Sequence, residues 1–140
     1  MSRVFWDTNL FIYLFEDYGA LSEAVGQLRS KMLARGDQLL TSTLTLGEIL
    51  VKPIERNDLH LCRKYEHAIS AVATMIPFDL TAAKIYAGLR LQKSLRAPDA
   101  IQLACAASAN VDLFVTNDDR LQGKHVDGVQ FIVPLARVPI

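Results

Sequence analysis

Apolar residues recur along this chain with two different periods, and the alternation between those periods outlines a fold. Short runs rich in β-branched and aromatic residues, Arg3–Trp6, Gln38–Thr41, Met75–Phe78, Leu113–Thr116 and Gln130–Val133, read as five strands. Longer stretches with helical spacing lie between them. Thr8–Phe15 and Leu21–Leu33 are the first two, and in the second Leu21, Ala24, Val25, Leu28 and Met32 share one face. Gly36 closes it, as glycine does at many helix C-termini. A third helix starts at Ser42 or Thr43 and is expected to reach Lys52, where Pro53 interrupts it. Glu55–Val72 reads as the fourth, and a fifth runs from Asp79 or Thr81 to about Leu95. Pro98 suits the first turn of a sixth, whose alanine-rich body is Ile101–Ala109. Strands that alternate with helices predict an α/β domain with a mostly parallel central sheet. No repeat, low-complexity tract or linker divides residues 1–140, so a single domain is expected.

Composition supports that reading. The chain is 51% hydrophobic and 8% aromatic, which argues for a packed core over disorder. No stretch approaches the ~20 apolar residues that cross a bilayer; the longest, Ile101–Ala109, is interrupted by Gln102 and Ser108. The N-terminal apolar run is broken at once by Asp7, Thr8 and Asn9, unlike a signal peptide. A soluble cytoplasmic protein without membrane contact is the expectation. Cys62 and Cys105 lack any CxxC or CxxH spacing and read as reduced thiols, which also disfavours a zinc site.

The 15 basic and 15 acidic residues cancel, a balance that at first discourages a nucleic-acid partner. Placement changes this. Several acids stand at the carboxyl ends of strands or at helix starts, and in open α/β sheets ligands bind in the crevice beyond those strand ends. Asp7 ends the first strand, and Asp118 follows Leu113–Thr116 by two residues. Asp99 sits beside Pro98 in a first helical turn, and Glu48 rises from the helix after the second strand. Were these four to converge, the rest of the chain would carry 15 basic against 11 acidic side chains.

Four segments, FWDTNLFIYLF, TSTLTLGEIL, RAPDAIQLACA and FVTNDDR, resemble in order and spacing the acidic blocks of PIN-domain nucleases. The closest branch is the VapC-type toxins of type II toxin–antitoxin pairs, and the resemblance runs from Arg3 to about Val133. It implies a three-layer α/β/α sandwich around a parallel sheet of about five strands. It also implies that Asp7, Glu48, Asp99 and Asp118 bind the catalytic metal and that Thr8, Asn9 and Thr116 support the site. Asp119 has no counterpart. The expected cofactor is one or two Mg²⁺ or Mn²⁺ ions, hard cations that prefer carboxylate oxygens. The expected reaction is attack of water on the phosphodiester of single-stranded RNA, leaving a 5′-phosphate and a 3′-hydroxyl. An antitoxin partner that obstructs the site and a homodimer are implied as well.

Arg90, Lys93 and Arg96 recur every three residues before Asp99 and read as one side of a helix able to hold phosphates. Lys124 and His125 offer the same from a loop. Each acid taken alone has a plainer account: Asp7 as a helix cap, Asp99 as a charge favoured by the helix dipole, Asp118 as a turn former. Glu48 is a polar interruption among Leu44, Leu46, Ile49 and Leu50 that could simply face solvent. Phe5 and Trp6 read as core, and His60, Lys64 and His67 as a solvated helix face. A haloacid-dehalogenase-like phosphohydrolase would need a second acid where Asn9 stands, and a receiver domain gives Glu48 no role. An inactive scaffold that binds RNA or a protein is the non-enzymatic alternative.

Overall fold

A computed structural model describes all residues, 1–140. Five strands, β1 (Arg3–Trp6), β2 (Gln38–Ser42), β3 (Thr74–Ile76), β4 (Val111–Val115) and β5 (Val129–Val133), form one sheet in the order β3-β2-β1-β4-β5. Every pairing is parallel. Six helices cover it: α1 (Thr8–Phe15), α2 (Ala20–Arg35), α3 (Thr43–Glu55), α4 (Leu59–Val72), α5 (Leu80–Leu89) and α6 (Ala97–Ser108). The expected α/β/α sandwich is therefore what the chain forms.

Side chains of a strand alternate between faces, and that alternation makes two cores. Phe5, Leu40 and Phe114 point to one side, where they pack with Ala82 and Leu89 of α5 and the small residues of α6. The Phe5 and Phe114 rings stack 5.1 Å apart across neighbouring strands. Val4, Trp6, Leu39, Leu113 and Val115 point to the other side, against Leu10 and Phe11 of α1, Val25, Leu28 and Met32 of α2, Ile49 of α3 and Ile69 of α4. Phe5 and Trp6 are fully buried, as expected of core residues. Cys105 is buried and Cys62 half-buried, and neither forms a disulfide.

Chain order places β2 and β3 on one side of β1, and β4 and β5 on the other. The connections leaving β1 and β4 thus diverge above adjacent strands, the geometry that opens a crevice beyond strand C-termini. Asp7 follows β1 directly and Thr116 follows β4 directly, and the Asp7 N–H donates to the Val115 carbonyl at 3.0 Å.

Several helix ends differ from the sequence expectation. Helix α3 passes through Pro53 to Glu55, because a proline in the last turn forfeits only one helical hydrogen bond. Helix α4 starts at Leu59, not Glu55: Asn57 takes a left-handed φ of 52° and Asp58 caps the helix by accepting from the Leu61 N–H at 3.0 Å. Strand β3 stops at Ile76, since Pro77 has no N–H for a ladder and its carbonyl turns to the Asp79 N–H. Helix α5 ends at Leu89, six residues short, and tight turns such as Leu95 N–H to Gln92 carbonyl carry the chain so that Leu95 is buried while Leu91 is exposed. As the sole side-chain cap of α4, Asp58 is expected to contribute about 1 kcal/mol, so Asp58→Ala should lower the melting temperature by roughly 3 °C in a thermal melt.

Candidate active site

Asp7 is extended backbone at the end of β1 and also caps α1, its Oδ1 accepting from the Thr8 N–H at 2.8 Å. Its Oδ2 accepts from the Thr116 hydroxyl at 2.7 Å. The cap reading of Asp7 is therefore true, but it does not exhaust the residue. Only 9% of Asp7 is exposed, and burial raises its pKa to about 6, the bonds from Thr116 and Thr8 opposing that rise and the carboxylates of Asp99 and Glu48 adding to it. A helix cap in water would sit below its usual value. This one is held where its charge is costly.

The other acids surround it. Glu48, in the second turn of α3, is exposed and accepts from the Thr8 hydroxyl at 2.6 Å. Asp99 lies in the first turn of α6, its pKa raised by burial and by Asp118, with Arg120 and Arg96 working against the rise. Asp118 precedes a single 3-10 turn, Asp119–Leu121, and its pKa is lowered chiefly by hydrogen bonding from Arg120. The Arg120 guanidinium joins the last two acids: Nη2 lies 2.6 Å from Asp118 Oδ2 and 3.9 Å from Asp99 Oδ2. Asp119 is exposed. Asp7, Glu48, Asp99 and Asp118 thus line one rim of the sheet, Asp7 feeling the charges of Asp99 and Glu48, and Asp99 that of Asp118.

Beneath the rim lies a buried polar layer. Gln102, 2% exposed on α6, donates through Nε2 to Thr45 Oγ1 at 2.8 Å, Thr8 Oγ1 at 3.1 Å and Asp7 Oδ1 at 3.4 Å. Its Oε1 accepts from the Ser42 hydroxyl, which explains why Ser42 begins α3 without a side-chain cap bond. Thr41 bridges Thr45 Oγ1 and the Trp6 carbonyl. Thr116 Oγ1 also accepts from the Asp118 N–H at 3.1 Å. Of the three polar residues expected to support the site, Thr8 and Thr116 hydrogen-bond its carboxylates. Asn9 does not, and its Oδ1 is buried without a partner.

The basic residues do not share one side of a helix, because α5 ends before them. Arg90 closes α5 and donates to the Tyr86 hydroxyl at 3.2 Å, Lys93 is exposed in the turn, and Arg96 opens α6. Of these three, Arg96 alone acts electrostatically on Asp99 and Asp118, alongside Arg120. Lys124 bonds Ser94 at 2.8 Å, and His125 is exposed near Asp127.

Two contributors go unmarked by the acid pattern. Gln102 stands three residues after Asp99 on an otherwise apolar helix, a spacing that puts both on one face. Arg120 ends the FVTNDDR segment, two residues from the carboxylate it binds.

Carboxylates and hydroxyls make an all-oxygen donor set, with no imidazole or thiolate near it, and this suits Mg²⁺ or Mn²⁺ better than zinc or copper. The Asp7 and Asp99 pKa values are raised first by burial and then by neighbouring carboxylates, so a cation bound beside them would favour their ionised forms. In the present arrangement no three acidic side chains converge on a single point: Glu48 leans on Thr8, and Asp118 on Arg120.

The family model of the PIN domain matches residues 4–126. No curated protein matches the sequence. Among solved structures, VapBC2 from Rickettsia felis bound to a promoter DNA fragment superposes with a TM-score of 0.73 at 16% identity, covering 94% of this chain and 97% of that one. A toxin–antitoxin complex from Klebsiella pneumoniae gives 0.65 at 25% identity, covering 90% and 94%. VapBC-5 of Mycobacterium tuberculosis gives 0.60 at 21% identity, covering 94% and 98%.

Proposed function

The chain belongs to the PIN domain family, and on that premise we propose that it is a metal-dependent endoribonuclease, the toxin of a toxin–antitoxin pair, with Asp7, Glu48, Asp99 and Asp118 as its metal ligands. The observation that carries the reading is the state of Asp7: a buried carboxyl whose charge is opposed by two further acids at the crevice where an α/β sheet binds ligands. Such an expense of stability makes sense where a cation is to be held.

Each residue has a task in this reading. Asp7 would supply oxygens from the most buried side of the cluster, Asp99 and Asp118, whose side chains are each 18% exposed, from its middle, and Glu48 from its exposed edge. Thr116 and Thr8 fix the Asp7 carboxylate through one bond to each oxygen, and Thr8 also aims Glu48. A hard divalent ion held by these four carboxylates would supply Lewis-acid polarisation of phosphodiester oxygens and would lower the pKa of the attacking water. Arg96, nearest of the basic set, is suited to a phosphate beside the cleavage point.

The toxin reading draws on the neighbours in Klebsiella pneumoniae and Mycobacterium tuberculosis, whose structures are toxin–antitoxin assemblies. An apolar groove floored by Ile12, Phe15, Ile49, Leu61 and Tyr65 reaches Glu48, with Lys52 and Arg56 also lining it. An antitoxin segment seated there would lie against the catalytic rim and obstruct it.

The test is a single-stranded RNA cleavage assay with Mn²⁺, repeated in EDTA and with Asp99→Asn. Cleavage is expected to need the ion and the Asp99 carboxylate. In EDTA, Asp99→Asn should melt at or above the wild-type temperature, since one of two repelling carboxylates is gone, while the stabilisation by Mn²⁺ is lost. RNA binding without cleavage by the wild type would favour the inactive scaffold. Cleavage that persists in EDTA would overturn the metal reading.

A further inference from the structure

Arg120 is the one cation lodged within the acidic rim, and its geometry is that of a ligand. Nε donates to Asp118 Oδ1 at 2.9 Å and Nη2 to Oδ2 at 2.6 Å, a two-bond fork, while the Arg120 backbone N–H adds a third bond to Oδ1 at 3.0 Å. The same Nη2 faces Asp99 Oδ2 at 3.9 Å. The guanidinium therefore lies where a cation shared by Asp99 and Asp118 would sit, with both oxygens of Asp118 engaged. Its backbone is anchored, because the next residue, Leu121, is 1% exposed. Its side chain is 48% exposed and can swing into solvent without unpacking anything.

We infer that Arg120 is a built-in counter-ion of the Asp99–Asp118 pair, which a divalent cation must displace in order to bind. The inference rests on the proposed metal site. Two cations compete for one set of oxygens, so arginine lowers the affinity for the ion and the ion in turn expels arginine, the two effects being equal by linkage. In the metal-free protein the guanidinium offsets the repulsion between the carboxylates. Once displaced, it stays tethered at the rim as a positive charge.

Calorimetric titration of the full chain with MnCl₂, paired with melts in EDTA, tests this. Arg120→Met is expected to bind Mn²⁺ about tenfold more tightly, within the usual range of coupling between competing ligands. It should also melt lower in EDTA and gain more from Mn²⁺ than the wild type. Arg96→Met, which removes an equal charge that acts on the same acids without a hydrogen bond to them, should stay near the wild-type affinity. Arg120→Lys keeps the charge and loses the fork, so it should fall between, and it serves if the methionine variant does not fold. Equal or weaker binding by Arg120→Met overturns the counter-ion role, as does an equal gain in both methionine variants, which would mean a general field effect. If the wild type binds no Mn²⁺, or its binding survives Asp99→Asn, the metal site itself is refuted. Wild-type binding that needs Asp99 but is unimproved by Arg120→Met refutes the counter-ion alone.

Discussion

Asp7→Asn is expected to cut RNA cleavage in Mn²⁺ by at least 10²–10³-fold, on the order seen when one preorganised electrostatic group is lost, and yet to raise the melting temperature of the metal-free protein. The second half follows from linkage. Asp7 ionises at about 6 in the folded chain and near 4 when unfolded. Between those values the folded state binds more protons, so stability falls as pH rises. The benefit of a neutral Asp7 is complete below about pH 4 and gone above about pH 6 to 7. Holding the ionised group in place at pH 8 costs about 3 kcal/mol. Asparagine keeps the shape, removes the charge and recovers part of that cost, a gain of several degrees in EDTA. The pH-dependent decline between 4 and 6 should flatten in the same variant. Melting curves in EDTA at pH 5 and pH 8 check both signs, and a variant that melts lower than the wild type at pH 8 would mean Asp7 is chiefly a structural cap.

That cap and charge coincide at Asp7 explains which parts of this molecule are legible in its sequence. Strands and helices follow from the apolar period, because burial on both faces of a parallel sheet leaves few other ways to arrange Phe5, Trp6, Leu40 and Phe114. The acids stand out because a carboxylate at a strand end beside apolar residues is conspicuous. Helix ends are less legible. Pro53 reads as a break, but a proline in a final turn costs little, and the actual stop is set by Asn57 in a left-handed conformation with Asp58 capping the next helix. Arg90, Lys93 and Arg96 read as one helical side only while α5 is taken to continue. What ends α5 is the need to bury Leu95, a tertiary demand with no local signature. Arg120 has the same difficulty: nothing in a charge count distinguishes an arginine that folds back on an acid two residues before it from one that faces water.

The least legible element of the site is Gln102, and changing it to glutamate is expected to be the most damaging single-atom exchange at the rim. The amide nitrogen faces three acceptors, Thr45 Oγ1, Thr8 Oγ1 and Asp7 Oδ1, and Gln102 itself is only 2% exposed. An ionised carboxylate there presents an acceptor to those oxygens and adds a second buried charge beside Asp7. Uncompensated buried charges cost about 3–5 kcal/mol, so Gln102→Glu should melt lower by about 10 °C or more at pH 8. The loss disappears in acid. Such a glutamate ionises above its unfolded value of ~4.3, so the penalty vanishes below pH ~4, where the protonated acid copies the amide and donates one bond. Gln102→Leu lacks the charge but leaves the Ser42 hydroxyl without its acceptor and removes the amide bonds to Thr8 and Thr45, which keep Glu48 and Thr41 as partners; it should lose about 1–3 kcal/mol with little pH dependence. Melts of the two variants at pH 4.5 and pH 8 separate electrostatics from packing. If glutamate and leucine lose the same stability at both pH values, the amide serves only to fill space and the carboxylates above it are held by Thr8 and Thr116 alone.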